Sequence, residues 1–106
     1  MKIVKTQSKR EDWDEVRSWN YKLTNLFPKM SVVYAELDGS HGEVKTKETE
    51  RVYYILEGRG EFTFNNKTFE IAKEDVITVP PNTVYNYKPV GKKTLKVILY
   101  MELWDN

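Results

Sequence analysis

Gly39-Ser-His-Gly-Glu-Val-Lys45-Thr-Lys47-Glu-Thr-Glu-Arg51-Val-Tyr-Tyr-Ile-Leu-Glu-Gly58 and Glu74-Asp75-Val-Ile-Thr-Val-Pro80-Pro81-Asn82-Thr-Val-Tyr85 are the two stretches on which the fold turns. Val44 to Lys47 and Arg51 to Leu56 read as strands around a short polar connection, and Gly58-Arg59-Gly60 breaks the chain after them. Val76 to Val79 is a short apolar strand stopped by Pro80-Pro81-Asn82, because proline cannot donate to a sheet ladder. Asn82 suits a left-handed position, being among the few non-glycine residues that tolerate one.

Working outward, the same period continues. Ser31 to Leu37 is rich in β-branched and aromatic residues and closes on Asp38-Gly39. Glu61 to Asn65 alternates, Asn65-Asn66 predicts a two-residue hairpin turn, and Lys67 to Ile71 returns as the partner strand. Thr83 to Tyr87, a Pro89-Val-Gly91 turn and a long strand over Thr94 to Trp104 complete the series. Short strands punctuated this regularly indicate a β-sandwich or barrel. Ahead of them, Ser8 with Glu11 forms a capping-box pattern, and Trp13, Val16 and Trp19 recur every three residues. That spacing predicts a short helix over Ser8 to Trp19 lying against the barrel or a second subunit. The expected organisation is an N-terminal extension over residues 1–30, holding a short helix and a strand, and a barrel over 31–106.

A chain of 106 residues supports one core. With 17 basic against 16 acidic residues, the charge offers no broad attraction for nucleic acid or an anionic membrane. No apolar run approaches the length needed to span a bilayer, and Met-Lys-Ile-Val-Lys does not read as a signal peptide. The chain has no cysteine, so thiolate metal sites and disulfides are excluded, and a cytoplasmic location is expected.

The two quoted stretches resemble the paired motifs of the cupin family. The first motif runs Gly, five residues, His-x-His, three or four residues, Glu, six residues, Gly. The second runs Gly, five residues, Pro-x-Gly, two residues, His. Gly39, Gly58 and the Pro80-Pro81 turn fit this frame, while Glu74 replaces the leading glycine of the second motif. The resemblance implies an all-β double-stranded β-helix, a jelly-roll barrel open at one end. It also implies pairing as a homodimer; Trp13, Trp19, Trp104 and Phe27 suit such a contact, and packing within one chain accounts for them equally well. In metal-dependent members, two His and a Glu from the first motif and a His from the second converge on the ion. Here the corresponding positions carry Lys45, Lys47, Arg51 and Tyr85. Protonated amines and a guanidinium repel a divalent cation, so the expectation is no metal and no cofactor. His41, the only histidine, is expected in an exposed turn.

Lys45 and Lys47 are two apart on a strand, and Arg51 has the same parity, so in this register all three face the cavity. Two unit charges about 5 Å apart repel by roughly 3 kcal/mol at an effective dielectric near 20, so such a cluster needs an anion. With Tyr53, Tyr85 and Tyr87 as aromatic walls, the expected ligand is a small anionic or carbohydrate-like molecule. An enzyme reading gives Lys45 or Lys47 the role of base or Schiff-base nucleophile, Tyr85 that of acid and Arg51 that of anion holder, for isomerisation, epimerisation or elimination. A third reading is an interaction module whose barrel is plugged by its own side chains.

Overall fold

A computed structural model describes residues 1–103. The ten strands are β1 (Lys9–Trp13), β2 (Val16–Leu23), β3 (Met30–Leu37), β4 (Val44–Lys45), β5 (Arg51–Glu57), β6 (Arg59–Phe64), β7 (Lys67–Ala72), β8 (Val76–Val79), β9 (Val84–Pro89) and β10 (Leu95–Glu102). They form a six-stranded sheet in the order β1-β2-β3-β10-β5-β8 and a four-stranded sheet in the order β4-β9-β6-β7. Every pairing is antiparallel, and the fold is the jelly roll expected from the sequence. No helix among the described residues is long and apolar enough to cross a membrane. Trp104, the last residue of the expected final strand, lies outside the described residues.

The turns fall where their chemistry requires. Asn65 and Asn66 take φ of 53° and 60°, the two positive values of a type I′ hairpin, and join β6 to β7. Asn82 sits at φ 52° after the proline pair, and Glu74 holds φ 75° where the family motif has glycine. Gly58 lies at φ 90°, and a Cβ there would meet the Thr94 carbonyl oxygen at 2.7 Å and Leu95 Cα at 3.1 Å. Both neighbours are backbone, so nothing can swing aside.

The N-terminal segment departs from expectation. A single 3-10 turn at Lys5–Gln7 is its only helical piece among the described residues, and 9–13 and 16–23 are strands. Val16 and Ser18 are buried while Arg17 and Trp19 face outward, which is the two-residue period of a strand. The three-residue spacing of Trp13, Val16 and Trp19 was compatible with a helix, but Asp14 at φ 48° turns the chain between Trp13 and Val16. The hydrogen-bond ladder from β3 to β2 and from β2 to β1 then outweighs local helix preference. Residues ahead of Met30 therefore extend the six-stranded sheet instead of packing on it as a helix.

Tyr53, Ile55, Phe62, Leu37, Leu95 and Val97 fill the space between the sheets. Phe62 stacks on Tyr87 at 4.8 Å and 4°, and Tyr53 meets both edge-on at 5.1 and 5.0 Å. Edge-to-face and offset arrangements of this kind add to the burial term. Gly58→Ala is expected to cost at least about 2 kcal/mol, since it combines a left-handed backbone with a backbone clash; urea unfolding of the variant checks this.

Candidate functional site

Immediately after β4, Thr46 and not the lysines takes the inner side. Thr46 is buried, receives the Thr83 amide at 2.8 Å on its hydroxyl and donates that hydroxyl to the Pro80 carbonyl at 2.7 Å. This knits the first motif to the proline turn. Because strand side chains alternate, fixing Thr46 inward turns Lys45 and Lys47 outward, and both are exposed. The expected convergence of three cations is thus replaced by one, Arg51.

Arg51 opens β5 and is 3% exposed. Its Nη1 donates to the Tyr85 hydroxyl at 2.9 Å, and its Nη2 lies 3.5 Å from Glu102 Oε1. Tyr85 and Tyr53 share a 2.6 Å hydrogen bond between hydroxyls. Glu102 also receives the Lys47 amide at 3.2 Å and the Thr49 hydroxyl at 3.0 Å, so one carboxylate ties the 46–50 connection to the end of β10. Burial works against the Arg51 charge, but Tyr85, Tyr53 and Glu102 outweigh it and hold the proton more firmly than usual. Burial pushes the Tyr53 phenol well above its ordinary range, and the Tyr87 phenol rises for the same leading reason.

Beside this group is a cavity of about 460 Å³, within the range of small-molecule sites. Arg51, Tyr53 and Tyr87 contribute to it, together with His41, Glu11 and Trp13. Neither Lys45 nor Lys47 lines it, and Tyr85 stands behind Arg51 and Tyr53. The barrel is accordingly not plugged at this end. Asn20 donates to Glu11 Oε1 at 3.2 Å, and the Ser18 hydroxyl donates to the Glu11 carbonyl at 2.8 Å, which steadies the edge strand bearing that carboxylate.

His41 is not in an exposed turn. It is partly buried, stacks on Tyr87 at 4.8 Å and 21°, and meets Trp13 edge-on at 5.2 Å. Trp13 Nε1 donates to the His41 carbonyl at 2.9 Å, so β1 holds the 38–43 loop over the cavity. Nδ1 lies 2.9 Å from the Gly42 carbonyl. A carbonyl only accepts, so Nδ1 carries the hydrogen and Nε2 of the neutral ring is left with its lone pair. Burial, with the nearby Arg51 charge adding to it, holds the imidazole below its ordinary value of 6.5.

Glu11, Trp13 and His41 were not among the residues expected at the site. Read as strands, Glu11 and Trp13 share a face by their two-residue spacing, and Glu11 pairs across to Ser18. That signal lay in the sequence but was masked by the helical reading. His41 stood out only as the sole histidine, and its neighbours in sequence read as a turn rather than a cavity wall.

The metal expectation of the family meets a poor donor set here. Among the described residues no group of three His, Cys, Asp or Glu side chains is placed to hold an ion. The barrel centre is occupied by a guanidinium bonded to a phenol, neither of which ligates a divalent cation in that state.

The architecture is that of a small jelly-roll barrel with one mixed cavity at its mouth. Residues 34–101 match the cupin domain model, and the chain belongs to the cupin family. Over 50 residues it is 44% identical to the uncharacterised protein MJ1618 of Methanocaldococcus jannaschii, a match covering 47% of this chain and 40% of that one. Among solved structures, a predicted oxalate decarboxylase of Thermotoga maritima superposes with a TM-score of 0.82 at 21% identity, covering 97% of this chain and 99% of its own. Streptomyces Pac13, a nucleoside dehydratase, reaches a TM-score of 0.80 at 24% identity, covering 99% of this chain and 84% of its own. Two Pac13 variants, one replacing a tyrosine and one a histidine, have been solved with uridine. At these identities the structural likeness establishes the fold alone.

Arg51→Met strands the Glu102 carboxylate and is expected to cost about 3 kcal/mol, whereas Lys45→Ala at an exposed position changes stability by less than about 0.5 kcal/mol. Denaturant titrations of both variants test the parity reversal. The pH dependence of His41 has a definite sign. Its folded value lies below the unfolded one, so the unfolded chain binds more protons there as pH falls through 6.5. Stability should therefore drop on acidification below 6.5, and His41→Gln should remove that part of the slope in thermal melts across the range.

Proposed function

We propose that this cupin binds a small ring-bearing polar molecule of the sugar or nucleoside class in its barrel mouth. The observation that carries the reading is the lining itself: aromatic faces from His41, Tyr87 and Trp13, one guanidinium at Arg51 and carboxylates at Glu11, Asp14 and Glu43. The aromatic faces suit a flat base or the apolar face of a sugar, and the carboxylates suit hydroxyl donors. A polyanion is disfavoured, because Glu102 already answers Arg51 and the other charged groups of the lining are acidic. At most one negative charge on the ligand fits this balance, which narrows the anionic class expected from a triple cation. The uridine complexes of Pac13 support the nucleoside end of the class.

Thermal shift and calorimetry with uridine, ribose and a uronic acid test the reading. At ligand concentrations of about 100 times Kd the stabilisation is about 2.7 kcal/mol, a rise of several degrees in Tm. The shift should survive Lys45→Ala and vanish in Arg51→Met measured against its own ligand-free melt. Silence of the wild-type chain to all three ligand types would exclude the proposal.

An enzymatic reading draws on one observation, the His41 imidazole with its acceptor nitrogen at the cavity wall. A neutral imidazole there is a base for a proton on carbon next to a carbonyl, with the chemistry of an isomerase or a dehydratase. Lys47 is poorly placed for that task, and Tyr85 is engaged with Arg51 and Tyr53. For a carbonyl-bearing ligand that binds, exchange of the carbon-bound proton in D2O should fall at least about 100-fold in His41→Gln with affinity kept. Unchanged exchange in that variant would remove the base role.

A further inference from the structure

The inner face of the six-stranded sheet floors the cavity, and its polar groups gather at two ends. Across β2, β3, β10 and β5 one row reads Asn20, Val33, Leu99, Tyr53, each aligned with the next. All four line the cavity, so two apolar side chains separate an amide from a phenol. Three strand spacings of about 4.8 Å put the ends of this row roughly 14 Å apart, backbone to backbone across the sheet. Arg51 lies two residues before Tyr53 on the same face of β5, so the Tyr53 end carries hydrogen-bond donors. The Asn20 end differs. Glu11 and Ser18 pair across β1 and β2 beside Asn20, and both line the cavity with it.

Hydrogen bonds within this second end turn it into an acceptor site. The Ser18 hydroxyl is buried and gives its hydrogen to the Glu11 carbonyl at 2.8 Å. The Asn20 amide nitrogen lies 3.2 Å from Glu11 Oε1, 3.3 Å from the Lys9 carbonyl and 3.4 Å from the Ser18 hydroxyl, so its hydrogens are spent inside the hairpin. These contacts leave Asn20 Oδ1 and Glu11 Oε2 for a ligand, and an amide oxygen and a carboxylate only accept. A phosphate finds no donor among these three side chains, whereas hydroxyls find acceptors. Two hydroxyls on adjacent carbons match a carboxylate best, since its oxygens take parallel bonds from a forked donor.

We infer that Glu11, held by Asn20, reads the vicinal hydroxyls of a ribose while the attached base reaches over Val33 and Leu99 toward Tyr53 and Arg51. A free pentose reaches one end of the row only, and a pentose joined to a base spans both. The inference rests on the sugar-or-nucleoside reading above and narrows it to ribonucleosides unsubstituted at the 2′ and 3′ oxygens.

Calorimetry of the wild-type chain with uridine, 2′-deoxyuridine, 3′-deoxyuridine and ribose tests it. Uridine is expected to bind at least about 10-fold more tightly than either deoxynucleoside, the loss of one hydrogen bond to a charged acceptor. It should also bind more tightly than ribose. In Glu11→Gln, which keeps the side-chain shape, the preference for uridine over 2′-deoxyuridine should collapse to near parity. Equal binding of uridine and the deoxynucleosides by the wild type would overturn the diol subsite and leave the nucleoside reading standing. Ribose binding as tightly as uridine would refute the two-ended span, and a preference unchanged in Glu11→Gln would take recognition away from that carboxylate. Failure of the wild type to bind uridine at all would overturn both readings. The wild-type comparison needs no variant, so the inference stays refutable even where Glu11→Gln does not fold.

Discussion

The ion pair and hydrogen bonds of Arg51 set the terms for the rest of the barrel. A guanidinium buried this deeply is tolerable only with partners fixed in advance, and they come from two distant parts of the chain: Tyr85 on β9 and Glu102 at the end of β10. Glu102 in turn holds the amide of Lys47 and the hydroxyl of Thr49, so the connection that delivers Arg51 is pinned by the carboxylate that Arg51 faces. Tyr85 passes the constraint to Tyr53, whose ring packs against Phe62 and Tyr87. One charge therefore orders the cavity floor and joins the two sheets, in the place where the family's metal-dependent members converge their ligands. The same arrangement leaves a divalent cation with a repelling neighbour and, among the described residues, no group of three His, Cys, Asp or Glu side chains placed to hold it.

The parts of the fold legible in the sequence were those governed by local backbone chemistry. Asn65-Asn66 and Asn82 announced turn or left-handed positions by residue type, and each was found at positive φ. The strand from Val76 to Val79 was bounded on both sides by turn residues and kept those bounds. Site geometry was harder to read because it depends on parity, and parity is set by whichever side chain finds an inner partner. Thr46 found two in Thr83 and Pro80, which turned Lys45 and Lys47 to solvent. Motif spacing alone cannot register that one-residue difference. The N-terminal misreading had a related cause: a spacing of three fits a helix or a tight hairpin, and the free ladder edge of β3 decided between them.

Recasting residues 9–23 as strands also explains why the cavity is not the cationic pocket that the motif positions implied. The β1-β2 hairpin brings Glu11 and Asp14 to the barrel mouth, and the 38–43 loop brings Glu43. Three acidic groups around a single buried guanidinium reverse the expected sign of the rim. They also oppose any second anionic group on a ligand while leaving acceptors for hydroxyl donors.

His41 illustrates how a loop residue gains a defined chemical state from its neighbours. The Gly42 carbonyl fixes which nitrogen carries hydrogen, Tyr87 fixes the plane of the ring, and Trp13 holds the loop by its backbone. Desolvation then favours the neutral form over the charged one, with the Arg51 charge acting in the same sense. An imidazole so constrained presents an acceptor at physiological pH without needing a carboxylate behind it, in contrast to histidines oriented by an acidic partner. Proton acceptance at this wall would create a second cation near Arg51, a cost that the hydrogen bond to the Gly42 carbonyl works against. The Gly42 carbonyl and the buried arginine at the floor thus act on the same ring in opposite directions. That balance bears on the two roles proposed for the imidazole, seating a ligand and taking a proton from it.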